Sequence, residues 1–357
     1  MSRFLKDTFQ ALETYVPGEQ PRDMQYVKLN TNESPFPPAP EVCAILDEKE
    51  CELVRLYSDP TCKVLKEKMA ALYEVGTENI FLANGSDDIL NFIFMAYGHK
   101  GAAFPDITYG FYSVFAELHS ISYTQIPLMD DFTVDFKQYC GLNKLIVIAN
   151  PNAPTGMEIP VWQIEQLLNT NPDGVVVIDE AYVDFGGTSC YQLIKDYSNL
   201  IVTRTFSKSR SMAGARLGYA FGDQELIADL EKLKFSTNPY NVNRMTLKLG
   251  EATVAAENYY RQMCDKIISN RTYTADKLRT AGFQVLDSNA NFIFARHSGV
   301  EGEVLYRELK KRGVLVRHFT KPRICQYIRI TIGTREQMDV FLSAVNEIIR
   351  EASYENC

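Results

Sequence analysis

The sequence predicts an α/β protein in two parts: a large domain with a mostly parallel sheet between helices, and a smaller α+β domain. Three observations predict it. From about residue 60 to 240, amphipathic helical stretches alternate with short apolar runs bounded by turn residues. These runs are apolar on both faces, as expected of strands covered on both sides. After about residue 245 the alternation gives way to a long helical pattern and a few strand-like runs.

Residues 1–40 form an N-terminal arm, because the stretch Asn32–Pro40 (NESPFPPAP) holds too many prolines for a regular helix or central strand. A helix holding Val42–Glu48 is expected next. Residues 41–245 make the large domain, with clear helical stretches at Cys62–Tyr73 and Asp88–Tyr97. Its clearest strands are Ile80–Ala83, Lys144–Ala149, Val175–Ile178, Leu200–Thr203 and Gly218–Phe221. A long helical segment, roughly Val242–Ala281, leads into the smaller domain, residues 246–357. There the pattern reads as a strand at Asn291–Ala295, a helix ended by Gly313, strands Val314–Arg317 and Tyr327–Ile332, and a last helix near Glu336–Glu351. The N-terminal arm is expected to complete this domain.

Composition excludes several classes of function. The formal net charge is −8, and lysine and arginine are scattered, so the basic stripe of a nucleic-acid binder is missing. The first twenty residues lack the apolar core of a secretory signal, and no apolar run approaches the ~20 residues that cross a bilayer. The expected location is therefore the cytoplasm, with no membrane partner. Eight cysteines never pair as C-x-x-C and read as reduced thiols. Four dispersed histidines without H-E-x-x-H spacing give a metal site no support. No G-x-G-x-x-G stands after the early strands, which disfavours a Rossmann oxidoreductase.

Ligands of open α/β sheets gather beyond the carboxyl ends of the strands, and polar segments stand there. Thr205-Phe206-Ser207-Lys208 comes after the strand Leu200–Thr203, with Arg216 eight residues beyond the lysine. A lysine there can form a Schiff base, while hydroxyls and an arginine hold a phosphate. Taken alone, such a lysine is more often a solvated loop residue. Val175–Tyr182 (VVVIDEAY) ends an apolar run in Asp179. A carboxylate at a buried strand tip needs a partner, and a protonated pyridine nitrogen is one; a turn cap or a salt bridge is the plainer alternative. Asn84–Asp88 (NGSDD) joins a strand to a helix, where glycine permits a tight turn and free N–H groups bind anions. Helix capping by Ser86 or Asp87 explains the same residues. Asn150–Gly156 (NPNAPTG) is a rigid loop after another strand, or simply a proline–glycine turn.

Together and in this order, these segments resemble the fold-type I pyridoxal 5'-phosphate (PLP) enzymes, and within them the aminotransferases of the histidinol-phosphate branch. The resemblance runs from Leu29–Pro35 (LNTNESP) to Ile328–Thr334 (IRITIGT), and includes Tyr57–Pro60 (YSDP) and Thr108–Tyr112 (TYGFY). It implies a seven-stranded, mostly parallel sheet in the large domain. It also implies that Lys208 joins PLP covalently and, once freed, moves the substrate proton. Asp179 is then the partner of the pyridine nitrogen, Tyr182 donates to the ring oxygen O3', and Tyr109 stacks on the ring. Thr205, Ser207, Arg216 and the backbone of Ser86 and Asp87 hold the phosphate. Tyr57 reaches the phosphate of a second subunit, implying a homodimer.

One position departs from the family pattern: Ala153 stands where an asparagine usually reaches O3'. Either Asn152 substitutes through a loop shift, or Tyr182 and a water suffice. For the substrate, the resemblance points to Tyr15, Asn32, Arg317 and Arg329. Two arginine forks suit a phosphate in one half-reaction and a carboxylate in the other. The implied reaction transfers an amino group from L-histidinol phosphate to 2-oxoglutarate, giving imidazole-acetol phosphate and glutamate, a step of histidine biosynthesis. The alternatives on the same frame are an aromatic-amino-acid aminotransferase and a threonine-phosphate decarboxylase. From another class, a non-catalytic PLP-binding protein remains.

Overall fold

The computed structural model describes residues 2–10, 12 and 17–355. Its large sheet has seven strands: β1 (Ile80–Ala83), β2 (Ala102–Pro105), β3 (Tyr123–Ile126), β4 (Leu145–Ala149), β5 (Val176–Asp179), β6 (Leu200–Thr205) and β7 (Gly218–Gly222). Their spatial order is β1-β7-β6-β5-β4-β2-β3. Strands β2 to β6 run parallel, while β7 is antiparallel to both its neighbours.

Alternation along the strands explains why the sheet is buried on both faces. Ile146, Ile148, Val176, Ile178 and Val202 enter one core, with Leu65 and Met69 of the helix Lys63–Tyr73. Val147, Val177 and Ile201 enter the other, against Ile89, Phe92 and Ile93 of the helix Ser86–Tyr97. Only the edge strand β3 exposes side chains, at Thr124 and Gln125.

A second sheet carries β8 (Phe283–Val285), β9 (Phe292–His297), β10 (Arg317–His318) and β11 (Ile328–Thr331), all antiparallel, in the order β10-β11-β9-β8. Ile293 and Ile330 on this sheet pack with Ile267, Leu278, Leu305 and Phe341 from three helices. The N-terminal arm lies beside it in a separate two-stranded sheet, where Val27–Lys28 pairs in parallel with Val314–Leu315. Among the described residues, no helix is long and apolar enough to cross a membrane.

The structure corrects the expected elements in three places. The helix expected over Val42–Glu48 is two, Pro40–Cys43 and Glu48–Leu53, because Asp47 accepts the Glu50 N–H at 2.8 Å and caps a new start. The long segment Val242–Ala281 divides at Ala256 into Arg244–Ala255 and Glu257–Thr280. No glycine or proline marks that break. Arg210 holds the Glu257 carboxylate at 2.6 Å, and the Tyr260 hydroxyl accepts the Ala39 N–H at 3.1 Å, so contacts distant in sequence pin the second helix. The strand Val314–Arg317 splits, one half pairing with the arm and the other with β11.

Candidate active site

Strands β5 and β6 lie side by side, with Asp179 opposite Thr203. Both face one side of the sheet, where the Thr203 hydroxyl donates to Asp179 Oδ1 at 3.2 Å and the Tyr112 hydroxyl to Oδ2 at 2.8 Å. Burial pushes the Asp179 carboxyl up to about 6, against the pull of these two hydrogen bonds. It is a desolvated acid that a cationic partner would ionise. The same burial, with Asp179 alongside, holds the Tyr112 hydroxyl protonated, well above the ordinary phenol range. The next residues along the two strands turn to the opposite side: Arg204 Nε donates to Glu180 Oε2 at 2.9 Å.

Beyond β6 the chain turns sharply. Phe206 is buried and its N–H bonds to Leu217 O at 3.0 Å, while the Ser207 N–H is held by Thr205 Oγ1 at 3.1 Å. This turn carries Lys208 over the sheet. Its amine donates one long hydrogen bond, 3.4 Å to Thr31 O, and lies 5.8 Å from the centre of the Tyr182 ring.

Two glycines shape the opposite wall. Gly85, at φ +90°, precedes the helix Ser86–Tyr97, whose first N–H groups have no side-chain cap. A side chain at Gly218 would stand 2.3 Å from Ser86 N, so only glycine lets β7 approach this turn. Arg216 stands here and donates to Asp87 Oδ2 at 3.2 Å; the Tyr109 hydroxyl donates to Asp87 Oδ1 at 2.7 Å. Uncapped helix amides beside an arginine make an anion cradle.

These groups enclose a cavity of about 340 Å³ lined by Ser86, Asp87, Tyr109, Ala153, Asp179, Tyr182, Thr205, Ser207, Lys208 and Arg216 among others. A larger cavity, about 760 Å³, shares Tyr109, Tyr182 and Lys208 with it and extends to Asn32, Arg317 and Arg329. Arg317 and Arg329 are direct partners across β10 and β11. Arg317 donates to Pro17 O at 3.3 Å and Arg329 to Asn30 O at 3.0 Å.

Four expected site residues fare differently. Asn152 does not line the smaller cavity: its amide bonds to Ile107 O, Thr155 Oγ1 and Thr108 Oγ1 at 2.8–3.1 Å, so no loop shift brings it to the place of the side chain missing at Ala153. Tyr57 is exposed and stacked on Tyr240 at 4.5 Å, away from this chain's own cavity. Asn32 lines the larger cavity, but its side chain is engaged by Thr331 and Tyr182. Tyr15 lies outside the described residues.

Three contributors escaped the sequence reading: Tyr112, Thr203 and the Asp87 carboxylate. Tyr112 stands in the first turn of the helix Phe111–Leu118, inside the TYGFY stretch that the sequence singles out. Nothing local reveals Thr203, whose role rests on strand register.

The sequence profile of the family "Aminotransferase class I and II" matches residues 24–345. A histidinol-phosphate aminotransferase from Brachyspira hyodysenteriae is 47% identical over 353 residues, covering 98% of this chain and all of that protein. One from Marinomonas sp. is also 47% identical, with the same coverage. In three dimensions, the histidinol-phosphate aminotransferase of Sinorhizobium meliloti, solved with pyridoxal-5'-phosphate, superposes with a TM-score of 0.87 over 98% of this chain and 99% of that one, at 23% identity. The profile and the near-full-length relatives lead to one conclusion: the chain belongs to the class I and II aminotransferase family.

Proposed function

We propose that this protein transfers the amino group of L-histidinol phosphate to 2-oxoglutarate with the help of PLP. The observation that carries the substrate assignment is the pairing of Arg317 with Arg329 across one register position, beside the cavity that holds Lys208. Two guanidinium forks at opposed positions on one cavity wall suit the several oxygens of a dianionic phosphate. The near-full-length relatives of that name support the same substrate.

The cavity fits the cofactor. Asp179 is a buried acid that needs a cation, the helix start beside Arg216 suits a phosphate, and Lys208 stands between them on the wall. When bound, PLP supplies a ring that spreads negative charge from the substrate carbon. Asp179 keeps the ring nitrogen protonated, and Tyr112 and Thr203 keep the Asp179 carboxylate aimed. Arg216 and the N–H groups of Ser86 and Asp87 hold the phosphate, with the hydroxyls of Thr205 and Ser207 nearby. Tyr109 packs against the ring and is steadied by Asp87. Lys208 Nζ would anchor the cofactor and, once the substrate amine has displaced it, its free amine would take the proton from the amine-bearing carbon of the substrate. Arg317 and Arg329 hold the far end of each substrate. Tyr57, exposed on this chain, completes the phosphate grip of a second copy in a homodimer.

Steady-state rates with histidinol phosphate, phenylalanine and threonine phosphate as donors test the assignment. We expect kcat/KM to favour histidinol phosphate; a preference for phenylalanine overturns it, and carbon dioxide release from threonine phosphate replaces it with decarboxylation. Lys208→Ala should abolish the visible absorbance of bound cofactor.

A further inference from the structure

Asn32 is buried in the left-handed region at φ +56°, at the edge of the cavity. Its backbone N–H donates to Thr331 Oγ1 at 3.0 Å, and the Thr331 hydroxyl donates back to Asn32 Oδ1 at 2.9 Å. This exchange fixes which way the amide points, since turning it over would aim two N–H groups at Thr331 and remove its acceptor. The Asn32 backbone is held as well, its carbonyl oxygen accepting from Asn291 Nδ2 at 3.0 Å. The amide nitrogen therefore faces Tyr182 and donates to its hydroxyl oxygen at 3.0 Å. A phenol that accepts on one side has its own hydrogen left to donate on another.

We propose that Asn32 is a positioning residue for Tyr182: it occupies an acceptor site of the hydroxyl and so aims the hydroxyl hydrogen into the cavity, at the ring oxygen of the cofactor. The inference rests on PLP binding as proposed above. It also explains how the site works with Ala153, whose methyl group lines the same cavity and donates nothing. Asn152 is committed elsewhere, and Tyr182 is the donor that remains on that side, made reliable by a locked amide. Asn32 is thus part of the cofactor site rather than a substrate ligand.

A donor at the ring oxygen stabilises its negative charge, which lets the adjoining nitrogen lose its proton at lower pH. The readout is the pH midpoint of the visible absorbance change of the bound cofactor. Lys208, Asp179, Glu33, Asp87 and Arg216 share the cavity wall with Tyr182, Arg329 lies beyond, and the variants leave all six in place. Asn32→Gly keeps the backbone conformation accessible and removes the amide. We expect its midpoint to rise by about half a pH unit or more, toward that of Tyr182→Phe. The double variant should match Tyr182→Phe alone. An unchanged midpoint in Asn32→Gly, or an equal further rise in the Tyr182→Phe background, overturns the proposal. Should Asn32→Gly fold poorly, Thr331→Val removes the group that orients the amide, and must raise the midpoint in the same direction. A wild-type protein with no visible band refutes cofactor binding itself, whereas a normal band with an unmoved midpoint refutes only the role of Asn32.

Discussion

Arg317 and Arg329 occupy directly opposed positions in the antiparallel pair β10–β11, and both line the larger cavity. Phe319 lies under both, 6.0 Å from Arg317 and 5.9 Å from Arg329. We expect millimolar inorganic phosphate to raise the Tm of the ligand-free protein, and Arg317→Gln to abolish that rise. With a phosphorylated donor, kcat/KM should fall roughly 10- to 150-fold, the worth of about 1.5–3 kcal/mol of charge-assisted hydrogen bonding. An equal loss on an unphosphorylated amino acid would assign Arg317 a purely structural role.

Asp179 makes the stability of the cofactor-free protein depend on pH. Its carboxyl sits at about 6 in the folded chain, above the ~3.9 of an exposed aspartate. Folding therefore favours the protonated acid: the contribution is present below about pH 4 and lost as pH rises through about 6. Two units correspond to about 3 kcal/mol. Urea unfolding of wild type and Asp179→Asn should show the wild type losing that much relative to the variant between pH 4 and 7. A constant difference would mean that Asp179 is not the desolvated acid described. Bound cofactor should reverse the trend, because its ring nitrogen ionises the carboxyl.

Gly218 holds β7 against the start of the helix Ser86–Tyr97. Its missing side chain would meet backbone atoms, Ser86 N at 2.3 Å and Gly85 C at 2.4 Å, which cannot swing aside as a side chain can. Gly218→Ala should cost about 1–3 kcal/mol of stability, as overpacking does, and displace the amides of the cradle. Dialysis should strip PLP from this variant faster than from wild type. Full retention would show that the cradle tolerates the shift.

Glu180 is the residue after Asp179 yet works on the other side of the sheet. Arg204, Ser189 Oγ and the Cys190 N–H converge on its carboxylate at 2.6–2.9 Å. Glu180→Ala strands Arg204, itself buried, and should lower the unfolding free energy by about 3–5 kcal/mol. Any cofactor absorbance should stay at its wild-type position in the folded variant. A stability change under about 1 kcal/mol would show that Asp184, 3.7 Å from Arg204, is partner enough.

Much of the fold was legible because strands buried on both faces leave an apolar run that needs no partner to be recognised. Ile80–Ala83 and Gly218–Phe221 stand in the sheet almost as expected, whereas Ala102–Pro105, short and ending in proline, escaped notice. The helix break at Ala256 escaped as well, since Arg210 and Ala39, far off in sequence, position the helix beyond it.

For the site, the sequence by itself determined which segments meet: Asn84–Asp88, Asp179–Tyr182 and Thr205–Lys208 each stand at the end of a strand, and parallel strands deliver their ends to one edge. Tertiary structure alone decided what the side chains do there. It turned Asn152 toward Thr108 and away from the cavity, set Thr203 and Tyr112 on Asp179, locked Asn32 to Tyr182, and brought Arg317 opposite Arg329. The physical reason is range. Strand propensity and turn chemistry act over a few residues and leave a local trace, whereas hydrogen-bond partners and strand register depend on residues far along the chain, 150 positions between Asn32 and Tyr182 and 299 between Asn32 and Thr331.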